Sequence, residues 1–219
     1  MKKLTIGGIE GALRGHVPKP IGRYGYSAVM LPLVRGAGGE LSLLYEVRAD
    51  ELKKQPGEIA FPGGKMERGE TPEQTAVRET CEELCVPESA VRLIRQFDYI
   101  VSYSNFTIYS CVGEIDAGAL AAEPNRGEVK DTFLVPLSFF VDGEPEVYVN
   151  RVAPVIADGF PYERIKFRDG YSWREGQSTV PIYVWREPNT GVERIIWGLT
   201  AQLTRRFAEV VRASLLSPQ

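Results

Sequence analysis

The sequence contains one histidine, His16, in a Gly/Pro-rich stretch. That excludes a zinc centre built on several imidazoles and argues against a Ser-His-Asp triad. Cysteine is almost as scarce. Cys81, Cys85 and Cys111 show no CxxC spacing, so a disulfide framework is not expected and a reducing, cytoplasmic setting is. No apolar run reaches the roughly 18 residues of a membrane-spanning helix. Behind Lys2 and Lys3 there is no continuous apolar stretch of the kind a signal peptide carries. Neither sign of charge dominates: 26 Lys and Arg face 29 Asp and Glu, which argues against a broad nucleic-acid surface. The expectation is no membrane, no nucleic acid, and chemistry run on carboxylates, hydroxyls, basic side chains or an oxygen-loving metal.

What is present is ordinary for a globular chain. Of 219 residues, 43% are hydrophobic, enough for a real core. No repeat, low-complexity tract or composition shift marks a boundary, so residues 1–219 read as one domain, with 1–25 a surface leader. Residues 26–34 and 41–48 read as strands joined by a glycine-rich turn, a hairpin. Residues 55–64 read as loop or short strand, and 91–101, 106–115 and 128–137 as further strands. Residues 147–185 mix short strands and turns without a clear pattern. A last amphipathic helix covers 196–215, with Leu199, Leu203, Phe207, Val210 and Val211 on one stripe. Strands with two separated helices suggest an α/β/α sandwich around a mixed β-sheet.

The clearest helix begins at Thr71-Pro72-Glu73-Gln74. Thr serves as N-cap, Pro occupies the first helical position, and Gln at N3 completes a capping box. At about 100° per residue, Glu79, Glu82 and Glu83 share one face and Val77, Cys81 and Leu84 the opposite one. One side is then built for burial and the other crowds three carboxylates that repel each other. A hard divalent cation would neutralise them, Mg2+ or Mn2+ in preference to zinc. Arg78 lies at the edge of the acidic face and Glu70 just before the cap, so the guanidinium can fix a carboxylate rotamer by a two-pronged contact. Upstream, Phe61-Pro62-Gly63-Gly64 lets backbone approach a metal or phosphate closely. Hydrolysis of a phosphoanhydride needs these parts.

Residues 64–86 resemble the Nudix box, G-x5-E-x7-R-E-U-x-E-E-x-G-U with U aliphatic. Gly64, Glu70, Arg78, Glu79, Glu82, Glu83 and Val86 stand where that pattern wants them. Thr80 departs from an aliphatic position, and Cys85 replaces the helix-ending glycine, whose left-handed backbone costs a cysteine about 1–2 kcal/mol. Pro87 offers another way to stop the helix. The resemblance implies metal ligation by Glu79, Glu82, Glu83 and the Gly63 carbonyl, with Arg78 and Glu70 orienting. It also implies a general base that is either a box glutamate, Glu82 here, or a glutamate on a later loop, for which Glu128 is the candidate.

The approach to the box resembles the coenzyme A pyrophosphatase branch of that family, where LLTxR precedes Ser or Ala, a basic residue, Gly and FPGG. Arg48, Ala49, Gly57 and Phe61 to Gly64 fit in register, while Tyr45, Glu46 and Lys53 stand for Leu, Thr and Arg. The resemblance implies a CoA-like nucleotide substrate cleaved to 3′,5′-ADP and (acyl-)4′-phosphopantetheine. Arg48, Lys53, Gly63 and Gly64 would bind it, and a homodimer is compatible with related families. ADP-ribose or another nucleoside diphosphate derivative is the alternative substrate. A non-catalytic nucleotide-binding regulator is the alternative of a different class.

Overall fold

The computed structural model describes residues 4–22, 24–121, 123–167 and 171–216. The leader carries a short helix that the sequence reading missed, α1 (Ile6–Leu13). Its three glycines argue against helix, but Thr5 caps it by accepting from the Gly8 amide. None of the residues of α1 is buried.

The hairpin forms as expected. Strands β1 (Gly25–Arg35) and β2 (Leu41–Arg48) run antiparallel with Leu33 opposite Leu43, and the Gly36 amide donates to the Glu40 carbonyl across the turn. Residues 59–65 supply two short strands, β3 (Ile59–Ala60) on β2 and β4 (Gly63–Lys65) on β1. Then follow α2 (Pro72–Leu84), β5 (Val91–Ser102) and β6 (Phe106–Ile115). Strand β6 lies parallel to β1, while β7 (Val129–Pro136) lies antiparallel along β2. The result is a mixed seven-stranded sheet.

Alternation along β1 and β2 sorts side chains to two faces. Leu31, Leu33, Leu43 and Tyr45 join a core with Phe133, Phe140, Leu203 and Phe207. Ala28, Met30 and Leu44 join another with Ala76 and Leu84 of α2. The short helix α3 (Leu137–Asp142) adds Phe140 to the first core, fully buried against Tyr45 and Tyr183. A buried ring of this kind stabilises by about 1.5–3 kcal/mol. Helices on both faces of a mixed sheet make the α/β/α sandwich that the residue pattern suggested.

The stretch without a clear sequence pattern supplies strands β8 (Glu146–Val152) and β9 (Gly176–Arg186), which pair antiparallel. With β10 (Glu193–Trp197) they form a second, three-stranded sheet. The last helix, α4 (Gly198–Leu216), therefore begins later than expected, because Ile196 and Trp197 end a strand. Its buried side is Ala201, Leu203, Thr204, Phe207 and Ala208, and Val210, expected on the apolar stripe, is 37% exposed. Among the described residues no helix is long and apolar enough to cross a membrane.

Candidate active site

Helix α2 starts as its sequence dictates. Thr71 Oγ1 accepts from the Gln74 amide and Gln74 Oε1 accepts from the Thr71 amide, so both halves of the capping box are made. At the other end Cys85 adopts the left-handed conformation, φ 52° and ψ 38°, and the Val86 amide donates to the Cys81 carbonyl. That is the ending a glycine would give, reached with a cysteine at a cost in backbone strain. Thr80, at the other departing position, is fully buried and donates its hydroxyl to the Ala76 carbonyl at 2.7 Å, so its polar atom is satisfied.

The expected placing of the buried side of α2 opposite its carboxylates is corrected. The buried residues of α2 are Thr75, Ala76, Thr80, Glu83 and Leu84, while Val77 and Cys81 are only partly covered. The cause is packing. The helix lies against β1 and β4, and the side it turns inward carries Glu83 toward the glycine strand. Glu83 accepts from the Gly63 amide at 2.7 Å. A Cβ on Gly63 would run into the Ala28 carbonyl, and one on Gly64 into the Glu79 carboxyl. Gly63 is required by close approach of backbone, whereas at Gly64 the Glu79 carboxyl would have to move aside.

Arg78 organises the outer carboxylates. Its Nε and Nη2 donate to the two oxygens of Glu70 at 2.7 and 3.1 Å. Its Nη1 donates to Glu79 at 2.8 Å and to Glu82 at 3.1 Å. Glu70 is held in turn by the Glu67 amide and the Thr75 hydroxyl. This clamp, led by the Arg78 hydrogen bond, lowers the Glu70 pKa to about 2 and raises that of Arg78. Glu82 is the most exposed carboxylate of the three, with 56% of its side chain accessible.

The inner carboxylates are held differently. Strand alternation turns Leu44, Glu46 and Arg48 to the α2 side of β2. Glu46 is 1% exposed and in hydrogen-bond contact with Glu83. The charges of Glu79 and Glu128 act on it, and the Ala49 amide donates to the Glu128 carbonyl where β7 meets the end of β2. The Asn125 amide donates to the Glu83 carbonyl, tying the loop that bears Glu128 to the end of α2. Burial first, then the partner's charge, pushes Glu83 up to about 9. Burial likewise pushes Glu46 up to about 8 although Arg48 pulls the other way. Burial also raises Glu79.

The structure thus brings Glu79, Glu83, Glu128, Gly63 and Gly64 together, with Glu82 at the rim. Arg48 borders the cluster, its Nε buried and without a hydrogen-bond partner. Lys53 is not brought to it and sits exposed on the loop between β2 and β3. Phe61 is a core aromatic stacked on Tyr45 at 4.8 Å. A groove of about 850 Å3 lined by Arg68, Val77, Arg78, Cys81 and Glu82 runs along the outer flank of α2 and meets the carboxylates through Glu70, Arg78 and Glu82. The residue that sequence reading missed is Glu46. A glutamate in a strand reads as an outward polar residue, and its position opposite the box glutamates follows only from the strand's phase.

Among the described residues, no three acidic, histidine or cysteine side chains are already set to hold a metal. Glu79 is turned to Arg78 and Glu83 to the Gly63 amide, the donors available to them. The residues nonetheless suit a hard divalent cation. All donors are oxygens, the Oε2 atom of Glu46 is buried without a partner, and the glycine cradle admits backbone approach.

The NUDIX domain model matches residues 25–148. The peroxisomal coenzyme A diphosphatase NUDT7 of Mus musculus is 31% identical over 84% of this chain and 69% of its own length. The uncharacterized Nudix hydrolase NudL of Yersinia enterocolitica is 30% identical over 85% of this chain and 81% of its own. Among solved structures, the Nudix hydrolase RenU of M. smegmatis is 27% identical, covering 55% of this chain and 74% of that one with a TM-score of 0.42.

Proposed function

The chain belongs to the Nudix hydrolase family, and from that premise we propose that it hydrolyses the diphosphate bridge of coenzyme A or an acyl-CoA. The products are 3′,5′-ADP and (acyl-)4′-phosphopantetheine. The observation that carries this substrate is the segment 48–64, where Arg48 and the glycine strand flank the acidic cluster and the residues follow the coenzyme A pyrophosphatase pattern. The relative named a coenzyme A diphosphatase supports it.

In this reading Glu79, Glu82, Glu83 and the Gly63 carbonyl hold Mg2+ or Mn2+. When bound, such a cation offsets phosphate charge and acidifies a coordinated water. The chain's own residues do the rest. Glu70 fixes Arg78, and Arg78 fixes Glu79 and Glu82 at the distances given above. Glu82 at the rim, or Glu128 from the β7 side, takes the proton of the attacking water. Gly63 and Gly64 keep side chains out of the diphosphate's path. Arg48 offers its guanidinium charge to the phosphates from the border of the cluster, and Lys53 reaches the 3′-phosphate from its exposed loop as a point charge.

The test is a substrate comparison with product identification in Mg2+. Coenzyme A should exceed 3′-dephospho-coenzyme A in kcat/KM by roughly 10- to 100-fold, since a charge-assisted hydrogen bond is worth about 1.5–3 kcal/mol. Equal rates would remove the 3′-phosphate contact. A preference for ADP-ribose would replace the substrate, and binding without turnover would make the protein a regulator.

A further inference from the structure

Glu46 stands out among the buried groups that the mechanism above does not use. It lies mid-strand in β2, paired across to Thr132 of β7 on one side and Ala60 of β3 on the other. Its side chain has 1% exposure, so water does not solvate it. Its Oε2 has no hydrogen-bond partner. Its titratable neighbours are three carboxyl side chains, Glu83, Glu128 and Glu79, and the guanidinium of Arg48. A carboxylate sequestered among carboxylates is destabilising unless something positive joins it. The packing supplies Arg48 nearby, but the Arg48 Nε is itself left without a hydrogen-bond partner and Oε2 of Glu46 stays unmatched. The resembled segment has threonine at this position, which would carry no such burden.

We propose that Glu46 is an additional carboxylate ligand of the cation cluster, supplied by the sheet to face the ligands supplied by α2. The proposal rests on the reading of the site as a divalent-cation centre. The placement favours it on three counts. The phase of β2 aims Glu46 at Glu83, with which it is already in contact. A central strand held on both edges gives a rigid attachment, as a ligand needs. A hard divalent ion takes six or more oxygens, more than the box side chains alone supply. A second role for the same contact is a hydrogen bond from protonated Glu46 that merely positions Glu83. Glutamine preserves that donor but not the anionic ligand, so the substitution separates the two roles.

The experiment is Mn2+ titration of the metal-stripped full chain without substrate, followed by electron paramagnetic resonance of free Mn2+ and by the thermal shift at saturation. Wild type, Glu46→Gln and Glu46→Thr are compared, with circular dichroism to verify the fold. The expected result is Mn2+ binding by wild type that weakens at least about 10-fold in both variants, together with a smaller Mn2+-induced shift in Tm. Wild-type affinity in Glu46→Gln would overturn the proposal and leave Glu46 as a positioning residue. Should Glu46→Gln fail to fold, undiminished affinity in Glu46→Thr would overturn it equally. Absence of Mn2+ binding by the wild type would instead remove the cation centre itself, and the proposal with it.

Discussion

The two faces of the main sheet are built from the same strands and to opposite ends. Toward α4, β2 sends Leu43 and Tyr45 into a core of aromatic rings, and Tyr45 places its hydroxyl on Thr204 at 2.9 Å. Toward α2, the alternate residues Leu44, Glu46 and Arg48 lead from an apolar cluster into a set of buried carboxylates. One face gains stability from burial. The other gives some of it up, because Glu46 and Glu83 are held where ionisation is unfavourable. A sheet can carry such a site because the neighbouring face is well packed, and the two should respond to mutation in opposite ways.

The sharpest break concerns turnover. Glu82→Gln or Glu83→Gln should each lower kcat by about 10²–10⁴-fold with an unchanged circular dichroism spectrum, as steady-state assays in Mg2+ would reveal. Near-wild-type turnover in both variants would contradict the proposed roles. On the other face, Phe140→Ala should cost about 3–5 kcal/mol of stability in urea titration while leaving the kcat of the folded fraction intact. If instead it reduced kcat at full folding, the division between the faces would not hold.

The acidic face should also respond to pH with a definite sign. In the unfolded chain Glu46 and Glu83 lose their protons near 4.5, while in the folded, metal-free chain the pair retains a proton toward 8 or 9. Between those limits the native state binds more protons, so their contribution to stability falls as pH rises and levels off above about 9. Comparing melts of metal-stripped wild type and Glu46→Gln from pH 5 to 9 isolates this contribution, and the variant should show the shallower decline. Equal slopes would mean that the pair does not share a retained proton. The smallest effect is expected at the helix end. Cys85→Gly should stabilise by about 1 kcal/mol, read as a higher urea midpoint, and a lower midpoint would show that the cysteine side chain compensates for its backbone.

Legibility in the sequence followed how local each determinant is. Helix α2 was readable because its cap, its proline and its charged positions lie within one short segment. The hairpin was readable because a glycine-rich turn separates two apolar runs. Which side of α2 faces inward was not readable, since it depends on β4 offering bare backbone at Gly63 and Gly64 to carboxylates that a helical wheel sets opposite the apolar side. Glu46 needed the phase of a strand relative to a helix far along the chain. Strand β8 gave little signal because it is an edge strand, exposed at Glu146 through Arg151, so no alternation of apolar and polar residues was imposed on it. Helix α1 was hidden by its three glycines, although Thr5 caps it.

The hydrogen bond from Asn125 to the last turn of α2 has a consequence for motion. Because the Glu128 loop is moored to the carbonyl of Glu83, fraying of that turn would loosen its grip on Glu128 as well as on Glu82 and Glu83. The strained residue that closes the turn, Cys85, therefore sits at the hinge of an opening that would scatter acidic groups from two distant stretches of chain at once.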